Sequence, residues 1–363
     1  MADWPQWRGA LRNGTSPETV GWRGGKPRPL WQAAIGQGFS SVAVVGGKLY
    51  TLGNAGGTDW VHCLNAATGK PVWQYKYTCG AGDYGGPRAT PTVHNGNVYT
   101  LSREGLALCL NAATGKLVWQ QRLSGAVPQW GFAGSPLVQG SRVIYNVGTS
   151  GTALDKLTGK ILWKTGEGPA GYAAPVAFDG GIAIFSAKAL VAVSAATGKT
   201  LWQYPWETSY DVNAADPIFS GGQVFISSNY GKGGALLRLG SGAPQPVWQT
   251  RAMKNHFNTC VLHNGFLYGN DENTLRCLEW GTGRERWSLR GIDKGGLILA
   301  GNQLVVMGGR GELILLAADP NRLTEQARGT VLSGTCWTHP VLANGTLYCR
   351  NQEGTLVALN MRG

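Results

Sequence analysis

A tryptophan returns along this chain about every forty residues, each time closing the same short phrase. GKPVW ends at Trp73, GKLVW at Trp119, GKILW at Trp163 and GKTLW at Trp202. Looser copies follow in PQPVW at Trp248 and GRERW at Trp287, and PRPLW at Trp31 precedes them all. Successive tryptophans are 42, 46, 44, 39, 46 and 39 residues apart. A period near ~42 residues is that of a four-stranded propeller blade.

The phase inside each period agrees. Residues 89–119, ATPTVHNGNVYTLSREGLALCLNAATGKLVW, parse as a strand, a tight turn at Asn95-Gly96 and a second strand. A short connection, a third strand, an ATGK turn and a Trp-bearing fourth strand follow. Short Val-, Leu- and Tyr-rich runs bounded by Gly, Asn and Asp are what antiparallel hairpins require. Equivalent first strands are expected near Ser40, Gly134, Ala173, Ala215, Asn258, Gly295 and Thr338, giving eight units. The periodic tryptophans are expected to dock between neighbouring blades.

The chain ends test the count. The seventh unit replaces its Trp by a polar stretch, ILLAADPNRLTEQARG, and the eighth stops after three strands. Its missing fourth strand is available as residues 29–34, PLWQAA. Completing the last blade in this way closes the sheet edges. The expected fold is therefore all-β: one eight-bladed propeller over residues 29–363, with residues 1–28 an extension packed on it.

Composition narrows the function. The net charge of +12 would suit an anionic partner, but Lys70, Lys116, Lys160 and Lys199 sit in repeated turns. With no basic run and no aromatic platform, nucleic acid is excluded as a partner. No stretch reaches the ~20 apolar residues of a membrane helix. The opening MADWPQW lacks a charged segment followed by an apolar one, so the chain is either cytoplasmic or lacks a removed leader. Of seven cysteines, Cys63, Cys109 and Cys277 share one strand position, which indicates packing. Cys79 and Cys336, in connections, are the one pair suited to a disulfide. No GxSxG, HExxH, P-loop or CxxCH is present.

The AxTGKxxW repeats resemble those of the pyrroloquinoline-quinone (PQQ) type propeller family. It contains the quinoprotein alcohol dehydrogenases and the outer-membrane assembly lipoprotein BamB. The segments WPQWRGALRNG, YDVNAADP, NHFNTCVL, LRCLEW and SGTCWTHPVL are similar to a bacterial, extracytoplasmic PQQ-binding-like branch. The resemblance covers the chain from Leu30 onward and implies a periplasmic or secreted protein. The adjacent-cysteine and haem features of the dehydrogenases are absent. Such a fold hosts catalytic and scaffold proteins alike.

Function is sought where the repeats disagree. In an up-and-down blade, the second-to-third connections and the entry segments share one face, and there the copies diverge. This places Arg88, Trp130, Tyr210, Asp211, Asn213, Asp216, Asn255, His256, Lys294, Arg310, Trp337 and His339 around one channel mouth. A small-molecule site is expected there. For a quinoprotein using PQQ with calcium on an alcohol or sugar, Asp211, Asn213, Asp216 and Asn255 would supply oxygen ligands and the base. Arg88, Lys294 and Arg310 would face the anionic cofactor, with Trp130 or Trp337 stacking on it. Asp211, Asp216 and His256 are the catalytic candidates. The alternatives are a metal-dependent enzyme built on His256 and His339, and a non-catalytic scaffold binding a protein partner.

Overall fold

Eight sheets form, each built on four antiparallel strands, one of them with a short parallel strand added, in a computed structural model that describes residues 2–362. The fold is an all-β, eight-bladed propeller. The chain divides into two compact units. One comprises Met1–Pro87, Asn258–Trp280 and Arg284–Gly363; the other comprises Arg88–Phe257 and Gly281–Gly283.

Within the first unit the closure is the expected one. Strand Pro29–Ala34 pairs antiparallel with Thr355–Asn360, setting Trp31 opposite Ala358 and Ala34 opposite Thr355. The segment before it adds further ties: Thr15–Ser16 pairs parallel with Leu299 and Ala300, and Trp4 bridges Val44. Where the seventh blade carries Ala327 instead of Trp, Trp22 supplies an indole to the same hydrophobic cluster. Two buried arginines stitch carbonyls together. Arg350 donates to Ser40 O and Leu52 O, both at 2.8 Å, and Arg8 to Cys260 O at 2.8 Å and Thr259 O at 3.2 Å. Cys79 and Cys336 are both buried, and the disulfide expected between them is not formed.

The Trp phrase locks adjacent blades in two ways at once. Trp119 Nε1–H donates to the turn carbonyl of Lys156 in the next blade at 3.0 Å, and Trp163 to Ala195 O at 3.0 Å. In the first unit Trp31 donates to Ala66 O at 3.0 Å and Trp287 to Asp319 O at 2.8 Å. The Trp31, Trp119 and Trp163 rings each lie against a turn glycine, Gly69, Gly159 and Gly198. A Cβ on Gly159 would stand 2.7 Å from the Trp119 indole, and one on Gly198 2.6 Å from Trp163. Gly159 also has φ +73°, so the ATGK glycine is needed for conformation and for clearance. Inside a blade, a small residue separates the Trp from a Tyr across the strands: Tyr50–Cys63–Trp73, Tyr99–Cys109–Trp119 and Tyr268–Cys277–Trp287. The repeated cysteines are thus spacers between aromatic side chains.

First strands begin about three residues later than the periodicity suggests, at Ala43, Leu137, Val176, Ile218, Val261 and Val341. The preceding residues bond sideways instead. Phe39 and Ser40 N–H both donate to Pro87 O, while Tyr172 and Ala173 N–H donate to Asn213 O. The entry segments belong to the seams between blades, and this fixes their side chains.

The Trp–Gly seam makes a stability prediction. Trp119→Ala should cost about 3–5 kcal/mol. Gly159→Ala should also destabilise, but less in the Trp119→Ala background than alone, because the obstructing ring is gone. Urea denaturation of the four-member cycle checks this; strict additivity would refute the contact.

Candidate functional site

The side chain two positions ahead of the innermost strand occupies the same register in every blade: Ser41, Thr90, Ser135, Ala174, Asp216, Thr259 and His339 among them. All seven are buried. Several bond to the neighbouring blade. Ser135 Oγ accepts from Thr90 N–H at 2.9 Å, Ser41 Oγ donates to His339 O at 3.1 Å, and Asp216 Oδ1 accepts from Ala174 N–H at 2.9 Å.

The neighbouring amides are committed in the same way. Asn213 is fully buried; its Nδ2 donates to Ser186 O, Ala187 O and Trp206 O at 2.9–3.1 Å, and its Oδ1 accepts from Ser228 Oγ at 2.8 Å. Asn255, also buried, accepts from Ser227 Oγ. Asp216, Asn213 and Asn255 therefore act as seam residues, holding entry segments to adjacent strands.

His339 sits in the first unit under the edge of Trp7, with ring centroids 4.9 Å apart at 80°. Neither ring nitrogen makes a well-directed hydrogen bond, and the Thr259 backbone offers only a partial offset. Burial, with the nearby Arg8 charge, pulls its pKa down to about 3. His62 is similar: burial lowers it to about 4, while Nε2 meets Ile35 O at 3.0 Å and Nδ1 meets the Gln74 amide at 3.1 Å. Among the described residues, no group of three His, Cys, Asp or Glu side chains could hold a metal ion.

What the second unit does assemble is a strip of rings. Tyr172 lies 6.0 Å from Trp130, Trp130 6.1 Å from Tyr210, Tyr210 5.6 Å from Tyr230, Tyr230 5.1 Å from His256, and His256 4.5 Å from Phe257. The Tyr230 hydroxyl and His256 Nε2 are 3.0 Å apart. Burial pushes the Tyr172 phenol up; the Trp130 N–H and the Arg88 charge pull it down, and the Asp211 charge pushes it up. Both charges therefore lie near this ring. Tyr210 and Tyr230 are 64 % and 37 % exposed, so the strip has an open face. Three of its residues, Tyr210 (φ +64°), Asp211 (φ +56°) and Tyr230 (φ +56°), take the left-handed backbone that side chains resist. Each costs about 1–2 kcal/mol, and such strain collects at working sites.

The first unit carries a smaller group. Trp337 stacks on Phe39 at 5.8 Å and 15°, Tyr84 approaches it at 6.2 Å, and Lys294 Nζ stands 5.6 Å over its ring. Arg310 is exposed and pairs loosely with Asp293 at 3.6 Å.

Of the residues singled out in the sequence, the structure gathers Arg88, Trp130, Tyr210, Asp211 and His256 along the strip. It sets Asp216, Asn213 and Asn255 into seams, buries His339, and places Lys294 with Trp337. Tyr172, Tyr230 and Phe257, to which no site role was assigned, complete the strip. Their signal was present, since each lies in an entry segment or connection where the repeats diverge.

Residues 79–289, more than half of the chain, match the family model described as outer membrane protein assembly factor BamB. The chain belongs to that family. No curated protein matches it in sequence. Among solved structures, BamB from Moraxella catarrhalis superposes with a TM-score of 0.72 at 16% identity, over 92% of this chain and 99% of that one. Quinohemoprotein alcohol dehydrogenase from Comamonas testosteroni gives 0.76 at 15% identity, over 100% and 81%. Sqt1 from Saccharomyces cerevisiae gives 0.69 at 12% identity, over 94% and 100%. At these identities the likeness is one of fold.

PQQ with calcium is the cofactor that the resemblance implies, and three of the four residues expected to offer oxygen ligands are already engaged by the protein. Oxygen ligands must be able to turn toward a cation. Asn213 spends both ends of its amide on the protein, Asn255 Oδ1 accepts from Ser227, and Asp216 Oδ1 holds the Ala174 amide.

Two measurements test these placements. Asp216→Ala should lower stability by about 1–3 kcal/mol, and Asp216→Asn by less, since an amide oxygen can still accept from Ala174 N–H. Urea midpoints decide; wild-type stability in the alanine variant would show the carboxylate free of the seam. The histidines set a pH dependence. Unfolded, both protonate as pH falls below their ordinary 6.5, whereas folded they stay neutral to about 4 and 3. Their contribution is therefore complete above pH 6.5 and declines on acidification, levelling off near pH 3. Over pH 6 to 4, His339→Gln should flatten the stability slope by about 1.4 kcal/mol per pH unit.

Proposed function

We propose that the chain is an extracytoplasmic, non-catalytic binding propeller that docks a segment of a partner protein on the aromatic strip of its second unit. The strip itself carries this reading. Trp, Tyr and Arg are the residues that dominate binding energy at protein interfaces. Here Trp130, Tyr210, Tyr230 and Arg88 occur together, two of them on strained backbone and with an open face. Membership of a family described as an outer membrane assembly factor supports both the scaffold role and an extracytoplasmic setting. The quinoprotein reading is weaker because Asp216, Asn213 and Asn255 are spent on seams.

Photo-crosslinking tests the proposal. A benzoylphenylalanine replacing Tyr210, in cells that make the protein, should form an adduct with a discrete protein, and Trp130→Ala should abolish it. The same probe at Leu157, 64 % exposed in a turn of the third blade, should give none. Identical adducts at both sites, or none at 210, would overturn the reading. So would a rise in melting temperature on adding PQQ with calcium, because a ligand bound only by the native state stabilises it.

A further inference from the structure

A second feature of the same unit lies apart from the strip's rings. Between the fourth and fifth blades is a cavity of about 350 Å³ whose walls include Tyr204, Trp206, Lys232, Gln249, Thr250 and Arg251. Its chemistry is one-sided. Lys232 Nζ stands 4.6 Å over the face of the buried Trp206 indole. That contact orients the ammonium without cancelling its charge. Among the described residues neither Lys232 nor Arg251 has a carboxylate within ion-pair distance, and no Asp or Glu lines the cavity.

The neutral groups point the same way. Gln249 Nε2–H donates to the Tyr204 hydroxyl at 3.0 Å, which uses that oxygen as acceptor and leaves its O–H to donate. Thr250 Oγ1 accepts from Ala252 N–H at 3.1 Å, with the same result. The Trp206 indole N–H is already given to Ser228 Oγ at 3.0 Å. Two uncancelled cations and two donor hydroxyls thus line one small cavity. Its volume is at the lower end of small-molecule sites, well above a single inorganic anion.

From this we infer that the cavity binds a compact anionic ligand: a carboxylate or phosphate carried on a ring of monosaccharide size. Lys232 and Arg251 supply the charge, and the Tyr204 and Thr250 hydroxyls the direction. The inference stands independently of what docks on the strip.

Titration calorimetry at low salt, with D-glucuronate, glucose 6-phosphate, glucose and inorganic phosphate as probes, tests it. At least one anionic sugar should bind saturably, and glucose should not. That binding should weaken as salt is raised, since the cations are exposed. Lys232→Ala and Arg251→Ala should each weaken it by about tenfold or more, and Lys116→Ala should leave it unchanged. Absence of saturable binding by both anionic sugars, equal binding of glucose, or undiminished binding in the Lys232→Ala/Arg251→Ala double variant would overturn the site. Inorganic phosphate binding as tightly as the sugars would overturn the ring-bearing ligand.

Discussion

The indole lying on a turn glycine is the contact on which this architecture rests. A blade alone is a small twisted sheet with two faces to cover and two edges to protect. In the seams seen within each unit, one Trp does several things. It covers a neighbour's turn, satisfies a carbonyl that the turn leaves over, and permits only glycine beneath it. Hydrogen bond and packing act at the same place, so one residue pair ties each of these blades to the next. The Tyr–Cys–Trp rows carry that constraint inward across each blade.

This explains which parts of the molecule were legible in the sequence. The seam recurs, so it appears as a period, and the tally of eight, the turn glycines, the packed cysteines and the borrowed strand at Pro29–Ala34 all follow from it. Site residues do not recur, and for them only position in the blade could be read. Position is not enough. Asp216 and Asp211 are both acidic, five residues apart in one entry segment, yet one is buried holding a backbone amide and the other lies near Tyr172. What separates them is whether the residue stands at the inter-blade register or in the loop leading to it. Neither residue type nor spacing encodes that distinction. Tyr230 stood in a connection that the divergence of the repeats already marked; what propensity could not show is its left-handed backbone, unusual for tyrosine, beside Tyr210 and His256.

The polar inventory of the entry segments serves two masters. Every loop approaching an innermost strand must first satisfy its own backbone against the next blade, and Asn213 shows how completely that can absorb a side chain. What remains for recognition is the outer part of the same loops, where aromatic groups such as Tyr210 and Tyr230 are exposed. The structure therefore separates residues that build the seams from those on the aromatic strip, and the two classes alternate within a few residues of one another.

Completion of the last blade by Pro29–Ala34 has a consequence for how the protein is made. The strand's partner, Thr355–Asn360, leaves the ribosome more than three hundred residues later. Until then the early strand has no edge to join, and the innermost three strands of the final blade do not yet exist. Local hairpins can form as they emerge, but this blade is completed only by a contact between segments more than three hundred residues apart, the slowest kind to establish. The early strand thus stays unpaired while the more than three hundred residues between it and its partner are made. Successful folding depends on keeping that strand solvated and unengaged until its partner arrives.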